Sequence, residues 1–231
     1  MGDVLQLNGV SKIYHGRVTT TALSGIDLAV PDGEFLAIVG PSGSGKSTLM
    51  NIIGLLDRPT TGQYWMDGVE VTRWSDAHLA GLRNRSIGFV FQSFNLVPTL
   101  SARENVELPL VYRSVAPRER RRAAESWLKR LGLGHRMDYR PHELSGGQQQ
   151  RVAVARALAG SPKILLADEP TGNLDDASRR DVAKIFEELC GSGQTIVLIT
   201  HDGQFASVAD RRLRLVDGIL EQEARAASHA N

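Results

Sequence analysis

Short apolar runs alternate along this chain with amphipathic stretches of helical period, and glycine pairs, prolines or charged residues separate most of them. Residues 4–13 and 22–30 show loose alternation of apolar and polar positions, with a polar turn at 15–19 between them, and predict two strands. Pro31-Asp32-Gly33 reads as a turn. Residues 34–39 predict a short buried strand that runs straight into a glycine-rich loop. Residues 46–55 follow as a helix with Leu49, Ile52 and Ile53 on one side. Residues 63–71 predict a hairpin turning at Asp67-Gly68, and 87–91 a further buried strand ending on Gln92.

After Gln92 the period changes. Ser101-Ala102-Arg103-Glu104 is a capping box that opens a short helix expected to stop near Pro109. Pro117 starts a second helix, whose Ala124, Trp127, Leu128 and Leu131 share one face. A third begins at Ser145 and runs to about residue 159, and no strand is predicted between Gln92 and Lys163. The α/β pattern then resumes with a strand over 164–167, a helix over 177–189 (core face Val182, Ile185, Phe186, Leu189), a strand over 195–200 and a small hairpin over 212–219 at Asp217-Gly218. The fold class is therefore α/β. Its core is drawn from 1–92 and 163–220, with an N-terminal antiparallel β subdomain. A helical subdomain is inserted at 93–162, and 221–231 is a polar, alanine-rich tail expected to fray.

Bulk properties exclude several classes. A chain of 231 residues suffices for one sizeable core, and not comfortably for two independent domains. A net charge of +1 provides no global field for nucleic acid or membranes. The longest purely apolar runs, such as 35–39, fall far short of the roughly 20 residues of a membrane span. No segment has the order of a secretory signal. The single cysteine, Cys190, cannot form an internal disulfide, which fits a reducing cytoplasm, and it is expected to be a small buried apolar residue.

The chemistry begins at Gly40-Pro41-Ser42-Gly43-Ser44-Gly45-Lys46-Ser47, followed by Thr48. It matches the phosphate-loop pattern G-x-x-x-x-G-K-[ST] at every fixed position and sits between a predicted strand and a predicted helix, the context that pattern requires. The glycines let backbone N–H groups close around phosphate oxygens, the helix start adds its positive dipole end, Lys46 is a point charge for the outer phosphates, and Ser47 offers a hydroxyl to Mg²⁺. The core is thus expected to be a P-loop NTPase of the RecA-like kind. Asp168 and Glu169 end an apolar strand. Two adjacent carboxylates there are costly unless something uses them, and in open α/β sheets ligands sit at that edge. Asp168 is the candidate Mg²⁺ ligand, directly or through water, and Glu169 the candidate to orient or deprotonate an attacking water.

Leu144-Ser145-Gly146-Gly147-Gln148 opens a helix about a hundred residues after the first loop, with Ser145 a natural N-cap and the glycines exposing N–H groups. All five residues match the signature of the ATP-binding cassette family, and the resemblance covers nearly the whole chain. It implies that two copies sandwich two ATP molecules head to tail, each nucleotide between the P-loop of one copy and Ser145, Gly146, Gly147 and Gln148 of the other. It further implies that Gln92 is the Q-loop residue near Mg²⁺ and transporter, that Asp175 in Asn173-Leu174-Asp175 lies at the dimer seam, that His201 meets the γ-phosphate, and that Tyr14 stacks on adenine. Arg151 is expected to support the signature helix. The wording Gly88-Phe89-Val90-Phe91-Gln92-Ser93-Phe94-Asn95-Leu96, Gly147-Gln148-Gln149-Gln150-Arg151 and Ala167-Asp168-Glu169-Pro170-Thr171-Gly172-Asn173-Leu174-Asp175 resembles the ATPases of macrolide-export and lipoprotein-release systems, with the cell-division cassette ATPase a near relative.

That branch implies an active ATPase on the inner face of the cell membrane, attached to a separate permease-type subunit and not to nucleic acid. Contact is expected near Gln92–Leu100, where Phe94, Leu96, Val97 and Leu100 are apolar for a loop, and on the helical subdomain. The stretch 113–136, with eight basic and two acidic residues, is either a solvated helix face or a surface near the membrane subunit or anionic head groups. Rival readings are a regulator of a cell-envelope or cell-division complex, a soluble cassette in nucleic-acid repair or translation, and another P-loop enzyme. No Asn-Lys-x-Asp guanine-reading motif is present to support a GTPase.

Overall fold

Phe35 and Ala37 leave their strand on one side and Leu36 and Ile38 on the other, and each pair anchors a different hydrophobic core. The computed structural model describes residues 2–222. In chain order its elements are β1 (Asp3–Tyr14), β2 (Thr20–Pro31), β3 (Phe35–Val39), α1 (Lys46–Ile53), β4 (Thr61–Met66), β5 (Val69–Glu70), α2 (Asp76–Ser86), β6 (Ile87–Phe91), α3 (Ala102–Tyr112), α4 (Pro117–Arg130), α5 (Gly146–Leu158), β7 (Ile164–Asp168), α6 (Asp176–Gly191), β8 (Thr195–Thr200), α7 (Gly203–Ala206), β9 (Arg211–Val216) and β10 (Ile219–Gln222).

Two sheets organise them, in the orders β2-β1-β4-β5 and β10-β9-β3-β8-β7-β6. The first is antiparallel. In the second, β3, β6, β7, β8 and β9 run parallel, and β10 returns antiparallel to β9. The first core lies between the two sheets and holds Leu49, Met50, Ile52 and Ile53 of α1. The second covers the opposite face of the long sheet with α3, α4, α5 and α6, through Val106, Leu128, Val154 and Phe186. The central strands β3, β7 and β8 read as near-continuous apolar runs because both of their faces are buried, whereas β9, nearer the edge, carries three arginines.

Several expectations change. α2 was not foreseen: only Leu79 and Ser86 are buried on it, so its sequence carries almost no helical period, and Ser75 caps its start. α3 does not stop at Pro109 but continues to Tyr112. Val106 and Leu110 bury one side of it, and the Asn84 side-chain amide donates to the Pro109 carbonyl, so tertiary packing outweighs the proline. Cys190 is only half-buried. Its Sγ lies 3.6 Å from Asp210 Oδ2, and burial together with that carboxylate pushes the thiol above its ordinary range. The expected tail begins too early, because Glu221 and Gln222 belong to β10, and residues 223–231 lie outside the described residues. Most boundaries move by one to three residues, as α1 does in ending at Ile53.

The basic stretch is largely consumed internally. Arg120 faces Glu107 at 3.5 Å, Arg121 bonds Glu125, and the Arg130 and Arg136 guanidiniums lie over Trp127 and Tyr139. Among the described residues no helix is long and apolar enough to cross a membrane.

Candidate functional site

Parallel pairing brings the chemistry to one edge. Val39 pairs with Thr200, Ile199 with Asp168, and Asp168 with Phe91. The residues that follow each strand, the P-loop after β3, Gln92 after β6, Glu169 after β7 and His201 after β8, therefore leave the sheet at the same carboxyl edge. A cleft of about 600 Å³ opens there, lined among others by Ser42, Gly43, Gly45, Lys46, Ser47, Thr48, Gln92, Asp168 and Glu169.

The P-loop needs its glycines for two different reasons. Gly43 and Gly45 adopt φ of 80° and 101°, where a Cβ is strained. Gly40 is demanded by proximity, since a Cβ on it would stand 2.2 Å from the Leu215 carbonyl oxygen. Lys46 donates to the carbonyl oxygens of Gly40 and Pro41, each at 2.8 Å, so its ammonium lies against the loop that would cradle phosphate. The Ser44 hydroxyl is buried and has no hydrogen-bond partner. The hydroxyl of Ser47 and the carboxylate of Asp168 line the same cleft and are hard oxygen donors of the kind Mg²⁺ takes. Burial, and then the adjacent Glu169, push the Asp168 carboxyl above its ordinary range, with Lys46 opposing them. A divalent cation would relieve that situation.

Glu169 has φ 45°, an unusual value for a residue with a side chain. Its carboxylate is anchored twice over. Oε1 accepts the His201 backbone N–H at 2.9 Å and lies 2.7 Å from His201 Nδ1, while Oε2 accepts the Thr200 hydroxyl at 2.9 Å. Gln92 donates to Asn173 Oδ1 at 3.3 Å, and Asn173 Nδ2 donates to the Gln92 carbonyl at 3.1 Å, joining β6 to the turn after β7.

The remaining candidates lie elsewhere. Ser145, Gly146, Gly147 and Gln148 do not line this cleft. Ser145 caps α5 by accepting from Gln148 N–H at 3.3 Å, and Gln148 Oε1 accepts the Ser145 N–H at 3.0 Å, so Gln148 is occupied as half of a capping box. Asp175 caps α6 through the Ser178 N–H at 2.8 Å, and that bond chiefly holds its carboxyl below the ordinary range. Tyr14 stands outside the cleft lining, 43% exposed. Its hydroxyl donates to Asp57 at 3.1 Å, and the Lys12 ammonium lies 5.0 Å from the centre of its ring. Arg151 reaches Asp181 of α6 at 3.5 Å and so ties α5 to its neighbour.

Sequence reading missed four contributors. Thr20, Thr21 and Ala22 form a wall of the cleft, and so do Asp217 and Gly218 of the β9–β10 turn. That turn is bound in by Gly218 N–H to Ser44 O at 3.0 Å and Ser24 N–H to Gly218 O at 2.8 Å. Tyr64 is buried and donates to the Ile53 carbonyl at 2.6 Å, tying the antiparallel sheet to α1. Thr200 is the fourth. Their elements were readable, as at the Asp217-Gly218 turn, but their place at the site was not, because each acts through a neighbour distant in the chain.

A second, larger groove of about 900 Å³ lies between α2–β6 and α3–α5, with Ile87, Phe89, Phe91, Leu108, Pro109 and Tyr112 among its apolar walls. Of residues 92–100 only Asn95 lines it, while Phe94 and Leu96 pack on the chain's own core. Four arginines line the groove and no carboxylate does. Arg83 donates to Leu55 O, Arg113 to Gly160 O and to Asn84, and Arg156 to the carbonyls of Phe94 and Asn95, both in left-handed conformation. These bonds satisfy donors without neutralising charge.

The ABC transporter family description matches residues 23–172. YvrO of Bacillus subtilis (strain 168), described as an uncharacterized ABC transporter ATP-binding protein, is 52% identical over 98% of this chain and 100% of its own length. The macrolide export ATP-binding/permease protein MacB of Marinobacter nauticus is 49% identical over 95% of this chain, which spans 34% of that longer protein. Among solved structures, the dimeric ATP-binding cassette MJ0796 in a post-hydrolysis state with ADP and Pi superposes with a TM-score of 0.87 at 44% identity, covering 95% of this chain and 97% of that one. The chain belongs to the ABC transporter family, as one of its ATP-binding cassettes.

Proposed function

We propose that this chain hydrolyses ATP as the nucleotide-binding subunit of an ABC transporter, closing head to tail with a second copy around two MgATP to drive a separate membrane subunit. One observation carries the reading. The P-loop, Asp168 and Glu169 line a single cleft, with His201 against Glu169, while the second phosphate-reading segment, Ser145–Gln148, lines none of it. A second copy is what would bring Ser145, Gly146 and Gly147 to that nucleotide, with Asp175 near the seam, and the dimeric MJ0796 cassette supports this assembly.

In this mechanism Lys46 exchanges the carbonyls of Gly40 and Pro41 for phosphate oxygens, and the loop N–H groups and Ser44 hydroxyl close on the rest. Ser47, Asp168 and Gln92 would hold Mg²⁺, which supplies neutralisation of the phosphate charge. Tyr14 packs on the adenine. Glu169 takes a proton from the attacking water as the water oxygen bonds to the γ-phosphorus. The bond from that phosphorus to the β–γ bridging oxygen breaks, leaving ADP and inorganic phosphate. His201, exposed beyond its contact with Glu169, donates to the γ-phosphate. ATP favours the closed state because only that state contacts it from both sides.

The membrane subunit docks in the groove between α2–β6 and α3–α5. Its apolar walls suit a short amphipathic helix, and its unneutralised arginines, Arg85 foremost, call for carboxylates on that helix. The chain then sits peripherally on the inner face of the membrane, without nucleic acid. The deciding experiment is Glu169→Gln with saturating ATP and Mg²⁺. We expect turnover to fall by about a hundredfold or more and a long-lived dimer to accumulate in size-exclusion chromatography. A variant that stays monomeric overturns the reading.

A further inference from the structure

We propose that Thr200 is a positioning residue for ATP hydrolysis: its hydroxyl holds the Glu169 carboxylate at the angle from which that group meets the attacking water. The inference rests on the role given to Glu169 above.

β8 is buried at all six of its positions, and four of them are Ile, Val or Leu. An apolar β-branched residue would fit position 200 as well as threonine does, since valine differs by one methyl for one hydroxyl. The hydroxyl is therefore the feature to explain, because a buried one must be hydrogen-bonded. At the far end of the strand Thr195 serves architecture, accepting from Gly33 N–H at 2.8 Å and lying 3.2 Å from Asp32. At the near end Thr200, 0% exposed, donates to Glu169 Oε2 at 2.9 Å and accepts the Asp202 N–H at 3.0 Å. Accepting from Asp202 directs its only proton to the carboxylate.

The two anchors of Glu169 differ in kind. The His201 side chain is 73% exposed and is the group expected to turn toward nucleotide. Thr200 is immobilised inside the sheet, where strand pairing with Val39 and a stiff χ1 hold its oxygen in place whatever occupies the cleft. The oxygens are held separately: Oε1 keeps the His201 backbone N–H even if the ring turns away, whereas Oε2 is held by the Thr200 hydroxyl, so Thr200 sets the plane of the carboxylate. Glu169 starts from an unusual backbone conformation with its N–H bonded to Ile199 O at 2.8 Å, so its side chain has a fixed root and one adjustable end. Thr200 fixes that end.

The test is steady-state ATPase kinetics of the full chain carrying Thr200→Val, with Thr200→Ser as the conservative control. Thr200→Val is expected to lower kcat by about tenfold to a hundredfold with KM for ATP unchanged, because it disturbs orientation and not nucleotide binding. Thr200→Ser is expected to restore most of the rate. A second readout separates positioning from damage: Thr200→Val should accumulate the ATP-dependent dimer, as slowed hydrolysis delays its opening. In a Glu169→Gln background the same substitution should add no further loss. Wild-type kcat for Thr200→Val overturns the inference, as does a loss carried by KM without dimer accumulation. If Glu169→Gln itself turns over at the wild-type rate, the functional reading fails first. If Glu169→Gln is inactive and Thr200→Val is normal, only the role of Thr200 falls.

Discussion

Gly147 of α5 lies directly against Ser178 of α6: a Cβ built on the glycine would stand 2.4 Å from the Ser178 hydroxyl oxygen and 2.7 Å from its Cβ. The second glycine of the signature is thus required within one chain, by the crossing of two helix starts, before any role toward nucleotide. Gly147→Ala is expected to destabilise the fold by about 1–3 kcal/mol through overpacking. Ser178→Gly should recover most of that loss and Ser178→Ala only part, since the Ser178 Cβ itself is in the way. Urea unfolding of the single and double variants checks this.

Tyr64 joins the antiparallel sheet to the helix that carries Lys46. Its hydroxyl is buried and donates to the Ile53 carbonyl at 2.6 Å near the end of α1. Tyr64→Phe keeps the ring and strands that carbonyl, at an expected cost of about 1–3 kcal/mol. Chemical denaturation without nucleotide is the measurement, and an unchanged midpoint would refute the link.

Asp168 makes the stability of the free chain depend on pH. Its carboxyl is raised above 3.8 by burial and by Glu169, so between 3.8 and that raised value the folded state binds more protons than the unfolded one. Stability attributable to this group is therefore present below the window and falls as pH rises through it. Asp168→Asn removes the effect. Its melting temperature relative to wild type, measured by calorimetry without Mg²⁺, should rise from acidic to neutral pH. A difference that shrinks over that range contradicts the shift.

Arg85 lines the groove between the core and the helical segment without a carboxylate beside it, and its nearby charge, after the larger effect of burial, pushes the Arg113 guanidinium below its ordinary range. Arg85→Glu reverses the charge offered to a partner. It should shift the chain from the membrane fraction to the supernatant when expressed with its membrane subunit, and an unchanged distribution would remove Arg85 from the interface.

Local chemistry was legible wherever a residue acts with its sequence neighbours. The capping boxes at Ser101–Glu104 and Ser145–Gln148 form through bonds spanning three residues; the first was legible from spacing, and of the second the Ser145 N-cap was. The P-loop was legible because its glycines answer to backbone conformation. α2 was not, because a helix with only two buried residues leaves no periodic trace. The course of α3 through Pro109 was equally hidden, since the Asn84 amide and the packing of Leu110 that support it come from other parts of the fold.

From its order of residues alone, this chain determined which groups could hold phosphate and take up a proton: Lys46, Ser47, Asp168, Glu169 and His201 each end or follow a strand or open a helix whose apolar pattern is plain. Tertiary structure decided how those groups are aimed. Parallel pairing, which joins β9, β3, β8 and β7 across more than a hundred residues, sets Thr200 beside Glu169 and the β9–β10 turn beside the P-loop. The physical reason is that periodicity records which face of an element is buried, whereas a hydrogen bond across the sheet depends on what the neighbouring strand brings to the same level.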